Sequence, residues 1–252
     1  MAPVTKRPLH VVVFGGTSGM GRALARSLVT RGDRVFLLGH QPDELEKSAA
    51  DLSVRGRFEV RFATCDLLRP ESFQPALEAA HDALGGFDTV IVTAAIFAGQ
   101  EELEKDHALM AKLLTANFTN TVLFCEAAKD KLLARGGGTL CVFSSVAGER
   151  GRKPVAIYGA AKAGLTRYLE ALDHRHHQDG LHVITVKPGF VKTAMTSHLK
   201  PPPFAGEPEG VALLVLKAID FGIPVVYAPL AWGPVMSVIR SLPRFAMRRI
   251  GF

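Results

Sequence analysis

The sequence predicts a single α/β domain with a seven-stranded parallel sheet and helices on both faces. Apolar runs typical of buried strands alternate with helical segments along the whole chain. With 252 residues, of which 48% are hydrophobic, the chain is long enough for one core of this kind. We find no internal repeat or low-complexity linker, so one domain is expected over residues 1–252.

Each predicted strand is followed by a helical segment. The first strand, LHVVVF, runs into the glycine-rich GGTSGMG and then into the helical RALARSLVTRG; the apolar TLCVFSS is a later buried strand. Gly136–Gly138 ends a helix, and Pro201–Pro203 marks a loop after the sixth strand. The predicted strands are 9–14, 34–39, 58–64, 88–93, 139–144, 181–187 and 223–227. The predicted helices are 19–31, 42–54, 70–84, 101–115, 118–135, 155–178 and 207–220.

Composition narrows the class of protein. The three cysteines, Cys65, Cys125 and Cys141, are an odd number without metal-like spacing, which indicates buried thiols in a reducing, cytoplasmic compartment. VVVF is too short for a signal peptide, and no stretch has 18 uninterrupted apolar residues, so no membrane-spanning helix is expected. The net charge of +6 is not interleaved with a nucleic-acid-binding motif, so no nucleic-acid partner is expected.

The glycine-rich segment between the first strand and the first helix predicts a binding site for a pyrophosphate. Glycines let the main chain approach the phosphates, and the helix N-terminus supplies free N–H groups and a positive dipole end. The spacing is GxxxGxG. The predicted contacts are Gly15, Thr17, Ser18, Gly19, Met20 and Gly21.

Ser145, Tyr158 and Lys162 are candidate catalytic residues. Tyr158 and Lys162 are four residues apart, which places both side chains on one face of a helix, and Ser145 ends a buried strand. An ammonium group beside a phenol favours the phenolate, so we expect Lys162 to lower the pKa of Tyr158 from about 10. A tyrosine tuned in this way exchanges a proton with a substrate oxygen near neutral pH.

Together, these motifs resemble the short-chain dehydrogenase/reductase family over nearly the whole chain. Further matches are Asn117 in LTANFTN, Asp66 in ATCDL, and the PGxVxT pattern in Lys187–Thr193. Two segments depart from the family pattern. Phe14 stands where a threonine often precedes the first glycine, and Val92–Ala95 replaces the usual Asn-Asn-Ala-Gly.

The resemblance implies a Rossmann fold, an NAD(P)H cofactor and oxidoreductase activity without a metal. It implies a catalytic tetrad of Asn117, Ser145, Tyr158 and Lys162, in which Tyr158 donates the proton, Ser145 binds the same oxygen and Lys162 binds the nicotinamide ribose. Asn117 is expected to position a water that relays protons to Lys162. Beyond the glycine loop, the cofactor contacts that it implies are His40, Asp66, Leu67, Ala94, Ala95, Tyr158, Lys162, Pro188, Gly189, Val191 and Thr193.

The resemblance also implies a substrate lid at 194–206 and a homo-oligomer through helices 101–115 and 118–135. The choice between NADH and NADPH stays open. Gly39-His40 stands where members that prefer NAD carry an aspartate, and the arginine usual in members that prefer NADP is also missing.

A narrower resemblance, to the subgroup that reduces decaprenylphosphoryl 2-keto-pentoses, lies mainly in the second half of the chain. The segments that carry it are GERGRKPVAIYGAAKAGL, KPGFVKTAMTSHLK and YAPLAWGPVMSVIRSLPRFAMRRIGF. It implies a lipid-phosphate-linked keto-sugar substrate, the reductive half of an epimerisation that gives a lipid-linked arabinose donor, and a flavin oxidase partner. Candidate phosphate contacts are Arg150, Arg152, His198 and Lys200.

Alternative interpretations accompany these expectations. For Arg150, Arg152, His198 and Lys200, the alternative to phosphate binding is that they are solvated charges of a loop. The substrate is otherwise a steroid, acyl chain or polyol, and the non-enzymatic alternative is a cofactor-binding regulator. The histidines of Asp173–His177 have no evident third ligand, so no metal site is predicted.

The C-terminal arm, residues 232–252, is basic and amphipathic. From Phe221 to Phe252 there are four arginines and no acid, and Pro243 is expected to divide the arm into two short helical segments. Either the arm packs on the protein, or it is an interfacial anchor on the inner face of the membrane.

His40 is a test of cofactor choice. We expect His40→Asp to shift preference toward NADH, because a carboxylate repels a 2′-phosphate and accepts hydrogen bonds from a 2′-hydroxyl. Dissociation constants of both cofactors for wild type and variant measure the shift. An unchanged ratio of the two constants would place His40 away from the adenosine ribose.

Overall fold

The computed structural model describes residues 7–197 and 200–250 and confirms the predicted sheet. In these residues seven parallel strands pair in the order β3-β2-β1-β4-β5-β6-β7. The strands are β1 His10–Phe14, β2 Arg34–Gly39, β3 Arg61–Thr64, β4 Thr89–Val92, β5 Gly138–Phe143, β6 Leu181–Pro188 and β7 Val225–Ala228. All carboxyl ends therefore lie along one edge of the sheet.

Helices connect the strands and cover both faces of the sheet. They are α1 Gly19–Arg31, α2 Pro42–Arg55, α3 Phe73–Leu84, α4 Gln100–Lys105, α5 His107–Leu114, α6 Thr121–Ala134, α7 Ala156–His176, α8 Pro208–Phe221, α9 Trp232–Ser241 and α10 Arg244–Arg249. A π-helical segment, Thr115–Asn120, joins α5 to α6. A 3₁₀ turn, Val146–Gly148, follows β5.

The core consists of two apolar layers, one on each face of the sheet. Along β1, Val11 and Val13 face the layer of α1, α2 and α8, whereas Val12 and Phe14 face the layer of α3, α6 and α7. Alternate side chains of a strand point to opposite faces, so a strand covered on both sides is apolar throughout. This explains why LHVVVF is a continuous apolar run.

The structure corrects the predicted helix over residues 101–115. The chain forms two helices there, because Asp106 adopts an extended conformation and its carboxylate accepts a hydrogen bond from Leu109 N at 2.9 Å. An aspartate in this position caps a new helix. The next predicted helix, 118–135, starts as an α-helix only at Thr121, after the π-helical segment.

The arm divides at Pro243, as predicted. Helix α9 ends at Ser241 and Pro243 is the N-cap of α10. A continuous face of arginines therefore does not form. Arg240 turns toward the body, and Arg244 and Arg248 are exposed.

One helical stretch among the described residues, His107–Ala134, is long and apolar enough to cross a membrane by length and composition alone, with a mean hydropathy of 1.2. In the fold it covers the sheet. Phe124, Cys125 and Ala128 are completely buried in the core, and the Asn120 side chain donates to Leu67 O at 2.8 Å. These contacts are those of a core helix.

Substitution of Phe124 tests this packing. Its ring lies 4.8 Å from that of Phe14 and 5.4 Å from that of Phe73, measured between centroids. We expect Phe124→Ala to lower the free energy of unfolding by about 3–5 kcal/mol through the cavity it leaves. Phe221→Ala, at an exposed position, is the control and should change it by about 0.5 kcal/mol or less. Equal denaturant midpoints for the two variants would contradict this packing.

Candidate active site

The glycine loop is a tight turn between β1 and α1. Gly15 has a φ of +94°, and a Cβ there would lie 2.6 Å from Thr93 Oγ1. A Cβ on Gly21 would lie 2.2 Å from Gly15 O. The Thr93 hydroxyl donates to the carbonyls of Phe14 and Gly15, so the unusual Val92–Ala95 segment fastens the loop to the end of β4. Only glycine fits at these two positions.

The loop opens into a cleft of about 480 Å³ at the carboxyl edge of the sheet. The predicted cofactor contacts that line it are Gly15, Thr17, Ser18, Gly19, Met20, Gly21, His40, Asp66, Leu67, Ala94, Ala95 and Thr193. The first turn of α1 carries no acidic residue to oppose an anion. A glycine cradle beside a helix N-terminus fits a dinucleotide pyrophosphate.

Two predicted residues face the far end of this cleft. His40 is exposed directly after β2, where no acid stands. Asp66 follows β3, and its carboxylate accepts a hydrogen bond from Leu68 N at 2.9 Å. Asp66 is the only acid among the described residues that line the cleft.

Ser145 and Tyr158 meet beyond the cleft. Ser145 ends the segment after β5, and its hydroxyl lies 3.5 Å from Pro188 O and accepts from Ala147 N. Tyr158 lies in the first turn of α7, where the ring of Phe97 packs edge-on against it. Burial raises the pKa of Tyr158 to about 12, and hydrogen bonding to the Ser145 side chain opposes that shift. The phenol therefore keeps its proton at neutral pH.

The direction of this shift corrects the sequence analysis, which expected Lys162 to lower the pKa of Tyr158. The ammonium lies 5.9 Å from the centre of the Tyr158 ring and donates to Phe143 O at 2.9 Å. Lys162 is almost completely buried, and that burial lowers its own pKa to about 8. Removal from water disfavours the charged form of each group, so the pKa of the phenol rises and that of the amine falls.

Asn117 is fully buried in the π-helical segment. Its side chain accepts from Ile96 N at 2.8 Å and donates to Ile96 O at 2.6 Å. Both bonds fasten the segment after β4, which lines the cleft, to the helix. π-helical bulges are frequent at functional sites.

The loop after Ser145 is fastened by a buried ionic cluster that the sequence did not predict. The carboxylate of Glu149 pairs with Lys187 at 2.5 Å and with Arg240 at 2.9 Å, and it accepts from the Tyr227 hydroxyl at 3.0 Å. These partners lower the pKa of Glu149 against the effect of burial. The cluster joins the Ser145 loop to β6, β7 and α9. These residues are far apart in the chain, so no local sequence signal could have found it.

Two further cations of this loop cap the arm helices. Arg150 donates to Leu242 O at 2.6 Å, at the end of α9, and Lys153 donates to Arg248 O at 2.7 Å, in α10. Cations at helix C-termini satisfy free carbonyls and complement the dipole. Arg150, a candidate phosphate contact, is therefore engaged with the arm.

The remaining residues that were predicted to contact the cofactor or the substrate lie at several separate places. Pro188, Gly189 and Val191 do not line the cleft, and the Val191 side chain is buried beside Gly206. Arg152 is half-buried and Lys200 is exposed. His198 lies outside the described residues. The sequence missed Lys112, Met195 and Ile96, which also line the cleft.

The comparisons with known proteins agree with this geometry. The family model for short chain dehydrogenases matches residues 9–203. An uncharacterized oxidoreductase of Streptomyces coelicolor is 37% identical and covers 96% of each chain. Carbonyl reductase family member 4 of Danio rerio is 30% identical and covers 86% of each chain.

A solved structure of an actinorhodin polyketide ketoreductase with NADPH matches the fold, with a TM-score of 0.78 and 24% identity over 86% of this chain and 94% of that one. This chain belongs to the short-chain dehydrogenase family. It is an oxidoreductase that uses NAD(P)H and acts on CH–OH or C=O groups.

The pKa of Lys162 is open to direct measurement. With lysines labelled at the ε-carbon, we expect an NMR titration with a midpoint near pH 8, because burial favours the neutral amine. The midpoint of an unperturbed lysine is about 10.4. The signal should be absent from Lys162→Met. A wild-type spectrum in which every lysine titrates above pH 9 would contradict the buried environment.

Proposed function

We propose that this enzyme reduces a ketone, and that its substrate is a keto-sugar, a polyprenyl-phosphate-linked 2-keto-pentose. One observation supports Tyr158 as the proton donor of a reduction. The half-buried Tyr158 side chain is hydrogen-bonded to the Ser145 side chain, and burial raises its pKa to about 12, so at neutral pH the hydroxyl holds its proton. A group that must supply a proton to a developing alkoxide needs to hold it until the reaction.

Each catalytic side chain has its own role in the proposed reduction. The hydride for the carbonyl carbon would come from NAD(P)H held in the cleft. Tyr158 donates its proton to the oxygen as the C=O double bond opens, and Ser145 donates a hydrogen bond to the same oxygen. Lys162 binds the nicotinamide ribose in this proposal. Its ammonium donates a hydrogen bond to Phe143 O and supplies a positive charge at the site.

Asn117 has a positioning role in this proposal. The sequence expectation was that Asn117 positions a water. In the structure its side-chain oxygen and nitrogen both bond the main chain of Ile96. We therefore assign Asn117 to holding the segment after β4 against the helix that carries it. To hold a water, Asn117 has the remaining lone pair and N–H of this amide and its main-chain carbonyl.

The substrate part of the proposal is supported by the sequence segments after Ser145 and after Lys187, and by exposed cations at Lys200, Arg244 and Arg248. Charge-assisted hydrogen bonds from such groups suit a phosphate. A flavin oxidase that makes the 2-keto compound would then supply the substrate. Carbonyl reductase family member 4, a relative by sequence, favours the second candidate, a reductase of other ketones.

A homo-oligomer and a cytoplasmic location complete the proposal. On the surface predicted to join subunits, Leu114, Phe118 and Leu123 are exposed apolar side chains. Apolar side chains grouped on one surface are typical of protein interfaces. Sedimentation of wild type against Leu123→Glu would test this surface.

Tyr158→Phe tests the catalytic proposal. We expect reduction of a decaprenylphosphoryl 2-keto-pentose, followed by NADPH absorbance, to fall about 10²–10⁴-fold, because only the proton donor is lost. Cofactor binding should stay within about twofold, since the ring still packs against Phe97.

The choice of substrate decides between the two candidates. Wild-type turnover of simple ketones but not of the lipid-linked sugar would support the second candidate.

A Tyr158→Phe variant that keeps more than a tenth of wild-type turnover would remove Tyr158 from the acid role. No turnover of any ketone by the wild type would leave a cofactor-binding regulator.

We also propose that the arm contacts an anionic membrane. Arg244, Arg248 and Arg249 are exposed beside Phe245, whose side chain is 65% exposed, and each arginine at an anionic surface contributes about 1 kcal/mol. We expect co-sedimentation with phosphatidylglycerol vesicles at low salt, and its loss when the three arginines are changed to glutamate.

The matched control changes Arg55, Arg57 and Arg61 to glutamate, three exposed positions with the same change in net charge. Substitution is preferable to truncation, because removing the arm also removes the carbonyls bound by Arg150 and Lys153. Equal binding by the two triple variants would leave the arm with a packing role alone.

A further inference from the structure

The chain has one tryptophan, Trp232, and it lies against the catalytic segments. It is the first residue of α9 and packs in a small apolar cluster with Val146, Met236 and Ile239. Val146 follows Ser145 directly in the chain. The cluster therefore joins the first turns of α9 to the loop that positions the catalytic serine.

The same ring covers the main chain of Gly189. A Cβ on Gly189 would lie 2.1 Å from Trp232 Nε1, 2.2 Å from Cε2 and 2.3 Å from Cδ1. Gly189 follows Pro188, whose carbonyl oxygen is 3.5 Å from Ser145 Oγ. The indole thus lies on the segment whose Pro188 carbonyl meets Ser145, and any side chain at position 189 would displace it.

The indole N–H is buried and has no hydrogen-bond partner within residues 7–197 and 200–250. A buried donor without an acceptor is costly, and such groups in folded proteins are rare. Tryptophan is a donor only, so the missing partner has to be an acceptor, which is either a water or an oxygen of a ligand. An aromatic face and one N–H together suit a ligand that has both C–H surfaces and oxygens.

We propose that Trp232 is a specificity-determining residue of the substrate pocket. Its N–H donates a hydrogen bond to a second oxygen of the substrate, close to the reacting carbonyl, so the site selects α-hydroxy ketones, including keto-sugars, over plain ketones. This inference rests on the proposed ketone reduction and names the substrate class for it. A ketone that lacks the matching acceptor leaves the buried donor unpaired, which is how hydrogen-bonding sites reject analogues.

A direct test uses the fluorescence of this single tryptophan. The probe is L-erythrulose, with 2-butanone as the analogue that lacks hydroxyls. Both are titrated into protein saturated with NADP⁺, which permits binding without reduction. We expect erythrulose to shift the emission to longer wavelength and 2-butanone to leave it unchanged. No response to erythrulose, or equal responses to both, would overturn the proposal.

A kinetic test uses Trp232→Phe, which keeps an aromatic ring and removes the donor. We expect kcat/KM for erythrulose to fall about five- to tenfold, the effect of one hydrogen bond, and kcat/KM for 2-butanone to change less than twofold. Val238→Ala, at an exposed position on the same helix, is the matched control and should change neither. Thermal unfolding of each variant shows whether the fold is intact.

The outcomes separate this inference from the proposed function. Equal losses for both ketones in Trp232→Phe, or weaker NADPH binding with both, would show that the indole supports the loop or the cofactor, and the inference would be wrong while ketone reduction stands. A wild type that reduces neither ketone but shows the erythrulose-specific emission shift would overturn the proposed function and retain the binding role of Trp232.

Discussion

Parallel pairing of β1 between β2 and β4 is the constraint on which the site depends. A parallel sheet brings every carboxyl end to one edge. The glycine loop, His40, Asp66 and the Thr93 segment therefore meet although they are separated by up to about 80 residues of chain. The Thr93 hydroxyl, bonded to the carbonyls of Phe14 and Gly15, fixes the loop at this edge. Any substitution that moved β4 relative to β1 would open the loop.

Burial governs the chemistry at this edge more strongly than charge does. An ammonium attracts a phenolate, yet burial raises the pKa of the Tyr158 phenol and lowers that of the Lys162 amine, whose nitrogen lies 5.9 Å from the ring centre. Desolvation acts on each group separately, whereas the attraction weakens with distance. A neutral phenol next to a serine hydroxyl is suited to giving a proton, which is the direction that ketone reduction requires.

The arm completes the site from the opposite end of the chain. Glu149 binds Lys187 and Arg240, and Arg150 and Lys153 donate to carbonyls of the arm. Removing one partner of a buried ion pair is strongly destabilising, because it leaves the other charge without compensation. The loop after Ser145 therefore takes its shape from α9 and α10 as much as from its own sequence. Trp232, at the start of α9, shares an apolar cluster with Val146 of this loop.

The sequence by itself determined the sheet, the glycine loop and the Ser145, Tyr158 and Lys162 positions, because strand periodicity, glycine spacing and helical spacing are local properties. It also determined the break of the arm at Pro243, since proline lacks the N–H that a continuous helix needs. The sequence did not predict that the helix would be interrupted at Asp106. There the aspartate caps a new helix, although the apolar pattern is that of one continuous helix. Only the tertiary structure decided the pKa direction of Tyr158, the use of Arg150 as a helix cap and the contact of Trp232 with Gly189. All three features depend on burial or on partners distant in the chain. Burial and distant partners are not encoded in the spacing of neighbouring residues.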